Sequence, residues 1–302
     1  MKVGLALGAG AARGWTHIGV IEALQEMGLR IDMVAGCSIG AYVGAAYASG
    51  KLPELKEWAC SLTEWQTLSL MGVGLKRGGL ASGQKVFDKL ANDFCAPTFE
   101  DMDLPFAVVA TDLYSGRERS FKSGPIGDSI KASCAIPGLF SPVLHDDRWL
   151  VDGAVVNPVP VNLCRQLGAD FIIAVNLSSD FRPQRSAAVS KKHEESQKHT
   201  DDFFSKSQNV IRQWFSPQSN KSEKPTQADS PGVFSVMSSS LEILQARVTR
   251  SRLAGEPPDL LIEPRLDNVG LMEFHRANEL VESGYATVKR LQEHIEFQLK
   301  IN

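Results

Sequence analysis

Two short stretches of this sequence carry the residue types of nucleophilic catalysis. GCSIG, Gly36 to Gly40, matches G-x-S-x-G, the pattern of a serine held at the apex of a strained strand-to-helix turn. Gly36 and Gly40 flank Ser38 symmetrically, whereas the matching neighbours of Cys37 are Ala35 and Ile39. Such a turn leaves little room two residues either side of its apex, so Ser38 is the candidate nucleophile. The plainer reading is a glycine-rich turn without chemistry. WLVDGA, Trp149 to Ala154, holds Asp152 at a strand end before Gly153. An aspartate there can project into the crevice outside a sheet and act as a base; it can equally be a turn-forming Asp-Gly.

A serine nucleophile needs a proton acceptor. The chain has six histidines. If the chain order were Ser, Asp, His, only a late one such as His275 would fit, and EFHRANEL around it reads as helix. His17, one turn into the first helix, reads as structural.

The opening stretch GLALGAGAARGW, Gly4 to Trp15, runs from a strand through a glycine-rich turn into a helix. A dinucleotide loop would want a third glycine where Arg13 stands, and an acidic residue closing the second strand. Asp32 precedes that strand instead, and no G-K-[ST] follows. An oxyanion loop fits better. Backbone N–H groups of Ala9, Gly10 and Ala11 can stabilise charge developing on a carbonyl oxygen, and Arg13 can either fix the loop or meet a phosphate.

These residues need rigid elements beneath them. Val3 to Leu7 and Met33 to Ala35 read as short buried strands, each followed by a helix, Thr16 to Met27 and Ile39 to Ser49. That order implies a parallel sheet with helices on its faces. FIIAV within Phe171 to Asn176 is a strand buried on both faces. Further strands are expected at Phe106 to Ala110, Arg119 to Phe121, Trp149 to Val151 and Asp259 to Ile262. Helices are expected at Glu54 to Ser61, Gly83 to Asp93, Pro125 to Ser133, Val159 to Leu167, Ser235 to Leu253 and much of Leu271 to Leu299.

The 302 residues, 43% of them hydrophobic, can form one large domain or two small ones. We expect a single domain, 1–302, with a polar, partly flexible insertion at 182–231 and a C-terminal helical part, 235–300, packed on the same domain. Within the insertion, Asp202 to Phe215 places Phe203, Phe204, Val210, Ile211, Trp214 and Phe215 on one helical face. That face suits peripheral membrane contact or a lid, or docking on the domain or on a second subunit of a homo-oligomer. A net charge of −3 gives no reason to expect nucleic acid. Met1-Lys2 leads straight into a strand, so no signal peptide is expected. Val34 to Ala48 is too short and small-residue-rich to span a bilayer. Five cysteines without a C-x-x-C pair point to a reducing cytoplasm and to no metal site.

GAGAARG, GCSIG and DGA, in that order, resemble the patatin-like phospholipases. ASCAIPGLF, Ala132 to Phe140, resembles a further segment of that family. ATDLYSGRE, Ala110 to Glu118, and the C-terminal helices are similar to its bacterial RssA-like branch. Ala9 and Ala11 stand where many members have glycine, a departure that keeps the backbone donors. The resemblance covers about Val3 to Leu177 and resumes near Ser235. It implies a three-layer α/β/α sandwich around a mainly parallel sheet, and a Ser38–Asp152 dyad without histidine. It implies an acyl-enzyme on Ser38, neither metal nor cofactor, and a lipid or other ester as substrate. The alternative is a regulatory or adaptor protein of the same fold with weak or partner-dependent hydrolysis.

Overall fold

A computed structural model of the chain describes residues 1–71, 73–76, 79–81, 83–179, 233–266 and 268–299. The expected insertion at 182–231, with its helix at 202–215, lies outside the described residues.

The strands are β1 (Val3–Leu7), β2 (Met33–Cys37), β3 (Val73–Lys76), β4 (Gly79–Ala81), β5 (Phe106–Asp112), β6 (Glu118–Phe121), β7 (Gly138–Phe140), β8 (Val143–His145), β9 (Arg148–Asp152), β10 (Phe171–Val175) and β11 (Leu260–Ile262). The α-helices are α1 (Thr16–Glu26), α2 (Ile39–Ala48), α3 (Leu52–Ser61), α4 (Glu64–Met71), α5 (Gln84–Lys89), α6 (Gly127–Ser133), α7 (Val161–Gln166), α8 (Val233–Gly255) and α9 (Ala277–Leu299). Among the described residues, eight strands form one sheet in the order β11-β10-β1-β2-β5-β9-β8, with β6 also on β5. Its β11-β10-β1-β2-β5 portion is parallel.

Strand alternation splits the core in two. Leu5, Leu7 and Val34 face α1, α2 and α9 in the larger core. Ala6, Ala35 and Ala107 face α7 across a smaller core that also holds Val161 and Cys164. Both faces of the central strands are therefore covered, which is why VGLAL and FIIAV are continuous apolar runs. The result is the expected three-layer α/β/α sandwich.

The C-terminal helix α9 crosses α1 at backbone distance. A Cβ on Gly19 would lie 1.8 Å from the Val281 carbonyl oxygen, and one on Gly284 would lie 2.1 Å from that of Thr16. Glycines at both positions let the helices touch. The Tyr285 hydroxyl and Lys289 then both reach Glu26.

Several boundaries differ from expectation. The region Gly83 to Asp93 is helical only as α5 and a following π-helical turn, Leu90–Phe94. Gly8 to Gly14 is not wholly turn, because Ala11–Trp15 winds into a 3-10 helix leading into α1. Helix α4 and the small β3-β4-β7 sheet have no counterpart in the sequence reading, since their segments are short and lack a sustained period.

Candidate active site

The sheet register brings the two candidate groups together. Strand β2 pairs with β5 as far as Cys37 opposite Val109. Strand β9 pairs with β5 from Ala110, opposite Asp152. Strand β6 covers Val108 to Thr111, so β6 must occupy one side of β5 while β2 and β9 share the other. The ends of β2 and β9 therefore meet in one lane. Ser38 leaves the end of β2 and Asp152 closes β9, one register step apart.

The Ser38 hydroxyl donates to Asp152 Oδ2 at 2.6 Å. Ser38 adopts φ 55, a left-handed conformation that L-residues take at a cost of about 1–3 kcal/mol. The surrounding glycines make this turn feasible. A Cβ on Gly36 would lie 2.5 Å from Ala41 Cα, and on Gly40 2.2 Å from the Leu7 carbonyl oxygen. The Ser38 backbone N–H donates to Ser133 Oγ at 2.8 Å. Cys37 is fully buried, and burial pushes its thiol well up, so it remains an unreactive thiol beneath the serine.

Asp152 is 3% exposed. Its Oδ1 accepts the Ala154 N–H at 2.8 Å. Its carbonyl accepts the Thr111 hydroxyl at 2.9 Å, and its N–H donates to the Ala135 carbonyl at 3.0 Å. Burial raises the carboxyl to about 7, against the opposing pull of the Ser38 and Ala154 hydrogen bonds. Gly153 must be glycine here, since a Cβ would meet the Val109 carbonyl oxygen at 2.4 Å.

The loop Gly8 to Ala11 lies beside this pair. The Ala9 N–H donates to the Pro158 carbonyl at 2.9 Å. This corrects the three-donor expectation: that proton is already held, so Ala9 contributes a small side chain and no donor. Gly10 and Ala11 have no protein acceptor for their N–H groups among the described residues. Ala11 holds φ 49. Arg13 fixes the loop: its Nε donates to the Val269 carbonyl at 2.9 Å, and Nη1 pairs with Glu242 of α8 at 3.1 Å. His17 is fully buried and hydrogen-bonds through Nε2 to the Gly8 carbonyl at 2.7 Å. Burial lowers its pKa to about 4, so at neutral pH it donates as a neutral ring. His275 lies in a 3-10 turn, Phe274–Arg276, and makes no hydrogen bond to Ser38 or Asp152.

The sequence reading of His17 as structural matches its buried bond to Gly8, but it assigns no role to Ser133. ASCAIPGLF marked the neighbourhood of Ser133, but its contact with Ser38 spans 95 residues and has no local signature.

Two cavities converge on Ser38. One, of about 150 Å³, runs under α8 and is lined by Gly10, Arg13, Asp152, Ser238, Glu242 and Gln245 among others. The second, of about 70 Å³, is lined almost wholly by apolar groups, including Trp15, Tyr42, Trp58 and Phe87.

The family model described as patatin-like phospholipase matches residues 5–165, a stretch that contains both Ser38 and Asp152. The chain belongs to the patatin-like phospholipase family. At the level of the family it is a hydrolase of ester bonds in lipids. An uncharacterized NTE family protein of Mycobacterium tuberculosis is 33% identical over 98% of this chain and 92% of that protein. Lysophospholipase NTE1 of Pyricularia oryzae is 29% identical over 94% of this chain, but over only 18% of its own length. Among solved structures, VipD from Legionella pneumophila aligns with a TM-score of 0.46 at 15% identity, over 97% of this chain and 66% of that one. No helix among the described residues of this patatin-like chain is long and apolar enough to cross a membrane.

Proposed function

We propose that this patatin-like protein cleaves carboxylic esters of lipids in two steps through Ser38 and Asp152. The observation that carries the reading is the 2.6 Å hydrogen bond from Ser38 Oγ to Asp152 Oδ2 at the meeting point of two cavities. Ser38 Oγ attacks the ester carbonyl carbon while its proton passes to Asp152. The tetrahedral intermediate collapses, the alcohol leaves with that proton, and the acyl group stays on Ser38. Water then attacks the acyl carbon, giving a proton to Asp152. Collapse releases the carboxylic acid, and the proton returns to Ser38 Oγ. The N–H groups of Gly10 and Ala11 stabilise the oxyanion in both steps; losing one such donor costs on the order of 100-fold or more.

The lysophospholipase relative supports a single-acyl phospholipid as the substrate class. A fluorophosphonate probe tests the reading. Wild type should label and should hydrolyse nitrophenyl esters, while Ser38→Ala and Asp152→Asn lose both. Wild-type protein that stays unlabelled and inactive in the presence of lipid vesicles would refute it and favour an adaptor role.

A further inference from the structure

We propose that Glu118 is a positioning residue for the reaction: its carboxylate sets the turn that runs from Asp152 to the carbonyl anchoring the oxyanion loop. This rests on the ester-hydrolase reading above. Glu118 opens β6 and pairs with Thr111 of β5. Its Oε2 accepts the side-chain amide of Asn157 at 3.0 Å, and its Oε1 that of Asn162 at 2.8 Å. The same Asn157 nitrogen donates to Asn162 Oδ1 at 2.8 Å, which closes a ring of hydrogen bonds among the three side chains. Arg252 of α8 also reaches Oε2, at 2.9 Å. Asn157 is 1% exposed.

Asn157 ends the turn that Asp152 begins. Asp152 Oδ1 accepts the Ala154 N–H, and the Gly153 carbonyl accepts the Asn157 N–H at 2.8 Å. The next residue, Pro158, supplies the carbonyl that takes the Ala9 N–H at 2.9 Å. One buried side-chain amide therefore sits between the base and the loop that carries the oxyanion donors. Glu118, Asn157 and Asn162 line neither cavity at Ser38, so they act on the reaction through that turn and not on the substrate.

The pattern of donors and acceptors makes the carboxylate specific. A carboxylate only accepts. Both asparagines must turn N–H groups toward it, and the second N–H of Asn157 then meets the Asn162 oxygen. Glu118→Gln brings a donor into the ring. One Asn157 atom faces both neighbours, so no combination of amide flips then satisfies every contact, and a buried polar group is left unpaired. Adding Asn162→Asp restores the match. The new amide at 118 donates to the new carboxylate at 162, its oxygen accepts from Asn157 and Arg252, and the net charge is unchanged.

Steady-state hydrolysis of nitrophenyl butyrate, the rate of fluorophosphonate labelling and urea unfolding together test the assignment. Glu118→Gln and Asn162→Asp should each lower kcat and the labelling rate on the order of 10- to 100-fold, through lost alignment. KM should stay within about twofold, since neither side chain meets substrate. The double variant should recover most of the wild-type kcat, the non-additivity of groups in one network. Should Glu118→Gln fail to fold, Asn162→Ala removes two bonds of the ring and should lower kcat in the same sense with KM unmoved. Folded variants with lowered urea midpoints but wild-type kcat and labelling rate would overturn the proposal. So would a double variant as slow as the two single effects multiplied, or a change confined to KM. Wild-type protein that neither labels nor turns over refutes the hydrolase reading and this proposal with it. Active wild type beside unaffected variants refutes this proposal alone.

Discussion

The hydroxyl of Ser133 accepts the backbone N–H of Ser38 at 2.8 Å. That bond holds the backbone of the strained apex, while Asp152 holds its hydroxyl. Ser133→Ala should leave a buried N–H unsatisfied, at a cost of about 1–3 kcal/mol in stability. It should also slow fluorophosphonate labelling about tenfold or more, because the nucleophile loses its orientation. A purely structural role would lower the urea midpoint and leave the labelling rate of the folded protein unchanged.

In the proposed mechanism Asp152 must be ionised to take the serine proton. With its carboxyl raised to about 7 by burial, kcat/KM should climb as pH rises and level off above that value, with the slope of a single proton. Asp152→Asn should stay inactive across the whole interval, because no titrating base remains. A profile for wild type that stays flat through pH 7 would place the base elsewhere.

Asp152 and His17 oppose each other in stability. The folded carboxyl titrates at about 7 against 3.8 when free. Its favourable contribution is whole below 3.8 and is lost as pH rises to about 7, roughly 4 kcal/mol. The folded imidazole titrates at about 4 against 6.5. Its contribution is whole above 6.5 and is lost as pH falls to about 4, roughly 3 kcal/mol. In wild type the two slopes largely cancel. Asp152→Asn should expose the histidine slope, stability rising with pH, and His17→Gln should expose the aspartate slope, stability falling with pH. Urea unfolding across this interval checks both signs.

Ala11 holds φ 49, where an L-residue is disfavoured by about 1–2 kcal/mol. Ala11→Gly removes that strain and adds chain entropy to the unfolded state, worth about 0.4–1 kcal/mol in the other direction. The variant should be slightly more stable, with its melting temperature raised and esterase activity retained. A lowered melting temperature would mean that the Ala11 methyl, which lines both cavities, contributes more by packing than it costs in strain.

Much of this site could be read before the fold because its requirements are local. Gly36 and Gly40 are needed wherever a strand turns so sharply into a helix, and VGLAL and FIIAV are apolar throughout because the sheet is covered on both faces. The misses come from contacts between distant segments. The Ala9 N–H is taken by Pro158 and the Ser38 N–H by Ser133, and the partners through which Arg13 fixes the loop, Val269 and Glu242, lie far along the chain. None of those pairings leaves a periodicity or a spacing. Local sequence alone leaves Asp152 evenly balanced between base and turn residue; the family resemblance is what pairs it with Ser38, and the β5 register lies along that pairing.

The shared lane of β2 and β9 along β5 also bears on how the chain folds. Ser38 and Asp152 are separated by 114 residues, and they meet only when an antiparallel strand has docked end-on to a parallel one. Contacts of such long sequence separation carry a large loop-closure cost and form slowly. The appearance of probe-reactive serine during refolding is therefore a clock for closure of the central sheet, independent of the earlier growth of its helices.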